Sequence, residues 1–107
     1  MIERPLSEIA AAVRGTLRGP DAVVSAVGID SRAVGPGSLF VAISGERVDG
    51  HDFVADAFER GAVAAVVHRP EIAGPVIEVP DTGRALRDLA ADERGRMRGE
   101  EVGRWQP

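Results

Sequence analysis

Lysine is absent from this 107-residue sequence, and all 13 basic residues are arginine. That excludes the lysine of a phosphate loop and a Schiff-base amine. Cysteine is absent as well, which removes disulfides, thiolate metal sites and thiol nucleophiles together. His51 and His68 are the only histidines, and they show no recurrent ligand spacing, so no structural metal is expected. There is no excess of basic charge either: the formal net charge is -4, and nothing in the overall balance draws the chain to nucleic acid or anionic lipid. No apolar segment approaches the length of a membrane span, and Met1 to Arg4 lead into no apolar signal region. The expectation is a cytoplasmic protein without a membrane or nucleic-acid partner. Carboxylates are plentiful, yet no pair stands out as general acid and base. Asp81, Asp88, Asp92 and Glu93 read as the cap and exposed face of a helix.

What is present suits one globular domain. The composition, 44% hydrophobic and 28% charged, argues against disorder. A chain of this length builds a single core that buries roughly 65% of its unfolded surface. It is too small for a separate catalytic domain.

Leu6, Ile9, Ala10 and Val13 recur at helical spacing, with Ser7 placed to cap the helix and Gly15 to stop it. Val23 to Ile29 alternates as one strand, and Ser38 to Ile43 is an apolar run bounded by glycines, as in a buried strand. Phe53, Val54, Ala57 and Phe58 fall on one helical face that Gly61 ends. Ala62 to Val67 and Val76 to Val79 read as strands around a loop punctuated by Pro70, Gly74 and Pro75. Asp81 then caps a helix that turns Ala85, Leu86, Leu89 and Ala90 inward. This alternation predicts a three-layer α/β domain with a largely parallel or mixed sheet. Phe40, Phe53 and Phe58 are expected in its core. Apolar periodicity is lost after Met97, and Trp105 takes no assigned face, so the end of the sequence reads as a frayed helix and tail.

The most informative stretch is 29–53, where two polar, glycine-bearing turns flank one short apolar strand. Both turns can present amides and side chains to one ligand, and a phosphate-bearing small molecule is the natural candidate. Ser31 can hydrogen-bond a base edge or a phosphate oxygen, and Arg32 can pair with a phosphate through two parallel N–H bonds. The competing reading is a surface turn in which Asp30 satisfies local amides and pairs with Arg32. Gly45 lets the backbone approach a ligand closely. Glu46 suits either a ligand loop or a solvated one, and Arg47 suits a charge-assisted bond to phosphate worth roughly 1.5–3 kcal/mol. Asp49 to Asp52 read as loop-shaping, because two acids at a helix start repel a phosphate and can cap the helix instead.

Asp30-Ser31-Arg32, Gly35-Pro36-Gly37, Leu39-Phe40-Val41-Ala42, Gly45-Glu46-Arg47 and Asp49-Gly50-His51-Asp52-Phe53 together resemble the N-terminal, UDP-binding domain of the Mur ligases. The likeness runs on through Ala57, Gly61-Ala62 and Ala64 to Asp81-Thr82 and Ala85-Leu86, and so covers nearly the whole chain. The resemblance implies a UDP-sugar site at Ile29, Ser31 and Arg32 and at Gly45, Glu46, Arg47 and Val48. It implies UDP-N-acetylmuramoyl-tripeptide as the ligand and a domain over 1–98. Residues 99–107 are expected to be a tail, the truncated entry to a central ATPase domain. Leu6-Ser7-Glu8-Ile9-Ala10 and the Gly-Glu-Arg and Gly-His-Asp-Phe wording look most like the ligase that adds D-alanyl-D-alanine. The diaminopimelate- or lysine-adding ligase and a stand-alone nucleotide-sugar module are the alternatives. In the family, ATP and Mg2+ serve the full-length enzyme, a modified lysine binds the magnesium, and central and C-terminal ligase domains complete it. No cofactor is expected in this chain, and it is not expected to catalyse alone.

Overall fold

The apolar run at 38–43 becomes the centre of the molecule because it is buried on both sides. The computed structural model describes residues 3–96. The elements are β1 (Arg4–Pro5), α1 (Leu6–Ala12), β2 (Thr16–Arg18), β3 (Val23–Val24), β4 (Ala26–Gly28) and β5 (Ser38–Val41). A 3-10 turn (Gly50–Phe53) then leads into α2 (Val54–Glu59), followed by β6 (Ala64–Val67), β7 (Val76–Glu78) and α3 (Thr82–Arg96). The main sheet has the order β2-β7-β6-β5-β4. Its last four strands are parallel, with Val27 opposite Leu39, Leu39 opposite Ala64, and Val66 opposite Ile77. β2 closes the far edge antiparallel to β7, and β1 and β3 form a separate two-stranded ribbon.

Side chains alternate across a strand, so each buried strand feeds two cores. Leu39, Val41, Ala64, Val66 and Ile77 pack with Leu6, Ile9, Val13, Ala85 and Leu89 under α1 and α3. Phe40, Ala42, Ala65, Val67 and Val76 face the other way, against Val54 and Ala57 of α2. The result is the expected three-layer α/β domain with a mixed sheet. Arg4 ties its start to α3: the buried guanidinium lies 2.8 Å from Asp92 and 2.7 Å from Glu93.

Several boundaries differ from the sequence reading. The single strand expected at Val23 to Ile29 is divided at Ser25: Val24 pairs with Arg4, while Ala26 to Gly28 join the main sheet. Ser25 donates its amide to Gly37 (2.9 Å), which draws the chain from one sheet to the other. β2 is not visible in the sequence, because a three-residue edge strand with one apolar residue carries no period. Ser7 does not cap α1, since Pro5 holds that position and Asp21 takes both the Ser7 hydroxyl (2.6 Å) and its amide (3.0 Å). At the other end of α1, Arg14 rather than Gly15 adopts the left-handed conformation, with φ 58°. Gly61 does end α2 in that conformation, at φ 104°, and Asp81 does cap α3 by accepting from the Arg84 amide (3.1 Å). The expected tail over 99–107, with Trp105, lies outside the described residues.

Candidate functional site: a groove at the carboxyl ends of two parallel strands

Because β4 and β5 are adjacent and parallel, the loops that leave them emerge at the same edge of the sheet, where open α/β folds place ligands. Between these loops lies a groove of about 700 Å³. Ile29, Asp30, Ser31 and Arg32 form one wall, Gly45 and Val48 the other, and Phe40, Ile43, Gly50, Phe53 and Asp56 complete the lining. Ile43 also belongs to a smaller hollow of about 290 Å³, over Ser44, His68, Asp81 and Thr82 at the start of α3.

Five of the seven residues named from the sequence therefore come together: Ile29, Ser31, Arg32, Gly45 and Val48. Glu46 and Arg47 are exposed between Gly45 and Val48 and do not line the groove. Ser31 is 95% buried, and its hydroxyl carries no hydrogen bond among the described residues. Arg32 is held by its own turn. Its guanidinium makes two bonds to Asp30 (3.1 and 3.0 Å), and its amide donates to the same carboxylate (2.9 Å). The Arg32 guanidinium and then its amide keep the Asp30 carboxyl below its ordinary pKa. Gly45 donates its amide to Val48 across the loop (2.8 Å), so that N–H points into the loop. The backbone amides at these two positions serve the turns themselves.

Asp49 to Phe53 form a locked turn between the second loop and α2. Asp49 accepts from the His51 amide (3.0 Å), from the His51 ring (2.7 Å) and from Ser44 (3.2 Å). Nε2 of His51 accepts from the His68 amide (3.0 Å), so the ring proton resides on Nδ1 and is donated to Asp49. The two imidazoles meet edge to face at 4.2 Å. These bonds, with the His51 amide first, hold the Asp49 carboxyl down to about 2. Gly50 donates to the Ile43 carbonyl (2.8 Å), and its hydrogen faces backbone so closely that a Cβ there would stand 2.6 Å from the Ile43 nitrogen. The loop-shaping expectation for this segment thus has a physical basis.

Phe53 departs from the expectation that it sits in the core on the face of α2: it is 41% exposed and lines the groove. The Asp49 cap starts a 3-10 turn at Gly50, and three residues per turn in place of 3.6 rotate Phe53 off the face shared by Val54 and Ala57. An Asx-type cap followed directly by glycine is the signal in the sequence that could have shown it.

Among the described residues no group of three or more His, Cys, Asp or Glu side chains is placed to hold a metal ion. No helix among the described residues is long and apolar enough to cross a membrane.

The family model described as "Mur ligase family, catalytic domain" matches residues 23–94. The UDP-N-acetylmuramoyl-tripeptide--D-alanyl-D-alanine ligase of Escherichia coli strain K12 is 45% identical over 92 residues, which is 85% of this chain and 20% of that protein. The UDP-N-acetylmuramoyl-L-alanyl-D-glutamate--2,6-diaminopimelate ligase of Geobacillus thermodenitrificans is 51% identical over 74 residues, 68% of this chain and 15% of that one. A crystal structure of MurF from Acinetobacter baumannii superposes with a TM-score of 0.79 at 30% identity, covering 90% of this chain and 22% of its own. The chain thus spans a fifth or less of the length of these two curated relatives. With a family match over more than half of its residues and a shared fold over nine tenths of them, the chain belongs to the Mur ligase family.

Proposed function

We propose that this chain is the UDP-N-acetylmuramoyl-peptide-binding domain of a peptidoglycan-precursor ligase of the D-alanyl-D-alanine-adding type. The observation that carries the reading is the convergence of the loops after β4 and β5 on one groove large enough for a nucleotide. Ile29, Ser31, Arg32, Gly45 and Val48 line it, with Glu46 and Arg47 at its rim. Residues 1–98 form the binding domain, and the sequence beyond leads towards a central ATP-using domain. Its contribution to catalysis is positional: anchoring the remote UDP end orients the reacting carboxylate and lowers the entropic part of the barrier. The absence of any lysine supports a binding role, although the matched family model is described as catalytic. A cytoplasmic location belongs to this reading. The 51% identity to a diaminopimelate ligase favours a second reading, in which the same groove serves a diaminopimelate-adding enzyme.

Calorimetric titration of the chain with UDP and with UDP-N-acetylmuramoyl-tripeptide tests the binding role. Saturable binding of both, each displacing the other, is expected. Absence of binding refutes it. Incubation with ATP, D-alanyl-D-alanine and precursor is expected to yield no ligated product. Ligation assays of the full coding region, with the tripeptide and dipeptide precursors in turn, separate the two ligase types.

A further inference from the structure

β4 is the outermost strand of the main sheet, with β5 on one side and, among the described residues, no strand on the other. Beside that bare edge runs α3, and between the two lies another groove, of about 560 Å³. It shares no lining residue with the groove at the strand ends. Ala26 and Val27 form one wall, and Leu86, Leu89, Ala90 and Glu93 form the other. Ala26 and Ala90 are exposed while Val27 and Leu86 are half-buried, so apolar surface lies open beside unpaired backbone. Strand edges of this kind template pairing with other chains, and folded proteins cover or blunt them. Acid gathers at the Glu93 end. Glu8, Asp92 and Glu93 all lie within 3.6 Å of the one guanidinium of Arg4, and three carboxylates against a single cation favour a basic neighbour.

We infer that this groove is the seat of Trp105, carried there by residues 97–107 of the same chain. Trp105 lies beyond the described residues and is the only tryptophan. An indole buries roughly 150–250 Å² and carries one N–H donor. The aliphatic walls match its faces, and the bare edge of β4 offers acceptor carbonyls for the N–H. Its neighbour Arg104 brings the positive charge that the acidic end of the groove calls for. Reach is sufficient. α3 runs to Arg96, so about 15 Å of helix separates Leu86 from the point where the chain leaves it. An extended segment from Arg96 to Trp105 spans about 30 Å, and Gly99 is a residue at which a chain can reverse after a helix. Tethering favours this occupant over a second copy, because a short linker holds Trp105 at an effective concentration on the order of millimolar. β4 continues directly into Ile29 to Arg32, so covering its edge also steadies one wall of the ligand groove. The inference does not depend on what that ligand groove binds.

With one tryptophan and no tyrosine, the fluorescence of the 107-residue chain reports Trp105 alone. Its emission should lie to the blue of the urea-unfolded chain, and acrylamide should quench it several-fold less than it quenches free N-acetyltryptophanamide. Nuclear Overhauser contacts should join the indole protons to the methyl groups of Leu86 and Leu89. Ala90→Arg fills the groove from an exposed helix position outside the ligand groove. It should return emission and quenching to those of an exposed indole while amide NMR spectra show the domain still folded. If that variant unfolds, the Overhauser contacts of the wild type decide alone. Wild-type emission equal to that of the unfolded chain overturns the inference. So does a blue emission that ignores Ala90→Arg and comes without contacts to Leu86 or Leu89, which places the ring elsewhere. A blue shift that grows only with protein concentration, together with a dimer in sedimentation, makes a second copy the occupant and overturns it as well.

Discussion

Residues 45–48 and the turn at Gly50–Phe53 follow one another in the chain and are opposite in construction. The first is an exposed loop, closed by the Gly45–Val48 bond and the Ser44–Asp49 bridge, with Glu46 and Arg47 in solvent. The second contains a fully buried imidazole, a glycine pressed onto the backbone of Ile43, and a carboxylate with four donors, one of them the Arg69 guanidinium. The charged loop attracts notice as a ligand grip, yet the locked turn is what places an aromatic ring in the groove. In this domain, rigidity is invested in presenting apolar surface, and the charges nearby are left with water.

The sharpest way to break that contrast is His51→Ala. It orphans the His68 amide, strips Asp49 of a donor and leaves a cavity the size of a ring, which together should cost about 3–4 kcal/mol. Urea denaturation measures this loss, and a marginal domain would be left with little reserve. A cost below about 1 kcal/mol, a size typical of exposed positions, would show that the turn is no more rigid than the loop before it.

Two glycines sharpen the comparison next. Gly50→Ala places a methyl 2.6 Å from the Ile43 nitrogen and 2.9 Å from its carbonyl oxygen. Backbone atoms yield little, so a loss of about 2 kcal/mol is expected from overpacking. Gly45→Ala brings its methyl to 3.1 Å from the Val48 carbonyl in an exposed loop. That loop can shift by a few tenths of an ångström, and the cost should stay near about 0.5 kcal/mol. Equal losses in thermal or urea denaturation would remove the distinction.

These contrasts also mark how far the sequence could be read. The three layers were legible because Leu39 to Ala42 and Ala64 to Val67 are apolar at every position, as strands covered on both faces must be, and because Gly61 and Asp81 punctuate their helices. The division at Ser25 was not, since alternation continues through it and only a bond from a distant glycine, Gly37, reveals the turn. For the site, residue type located the two loops but not the direction of their groups. Arg32 reads equally well as a phosphate ligand or as a partner of Asp30, and the bidentate pair is the outcome. Phe53 was hidden by a change of helical period from 3.6 to 3, which apolar patterning over four residues cannot resolve.

Acid should act on the locked turn in a defined window. The folded Asp49 carboxyl is held down to about 2, against an ordinary value of 3.8. A depressed acid stabilises the fold fully above its unfolded pKa, and the contribution is lost as pH falls through the folded one. The loss therefore runs from about pH 4 down to about pH 2. Asp49→Asn keeps an acceptor for His51 and removes the charge. The stability difference between wild type and variant should hold constant from about pH 7 to about pH 5 and then shrink over that window, as followed by denaturation at each pH. A difference that stayed level to about pH 2 would mean that hydrogen-bond geometry alone, without charge, holds the turn.

The smallest effect belongs to the most conspicuous charged pair. Arg32 and Asp30 make two parallel hydrogen bonds, but their side chains are 80% and 48% exposed. Water screens such a pair and the long arginine side chain loses rotamer freedom in making it, so Arg32→Ala should leave the urea unfolding midpoint essentially where it is in the wild type. The pair still leaves an electrostatic trace, because the Arg32 guanidinium is the largest cause of the lowered Asp30 carboxyl. NMR titration of the Asp30 carboxyl in Arg32→Ala should show its pKa rising towards the ordinary value while the unfolding curve hardly moves. A clear drop in the unfolding midpoint would instead make the pair a structural strut of the groove wall, comparable to the Asp49–His51 bond.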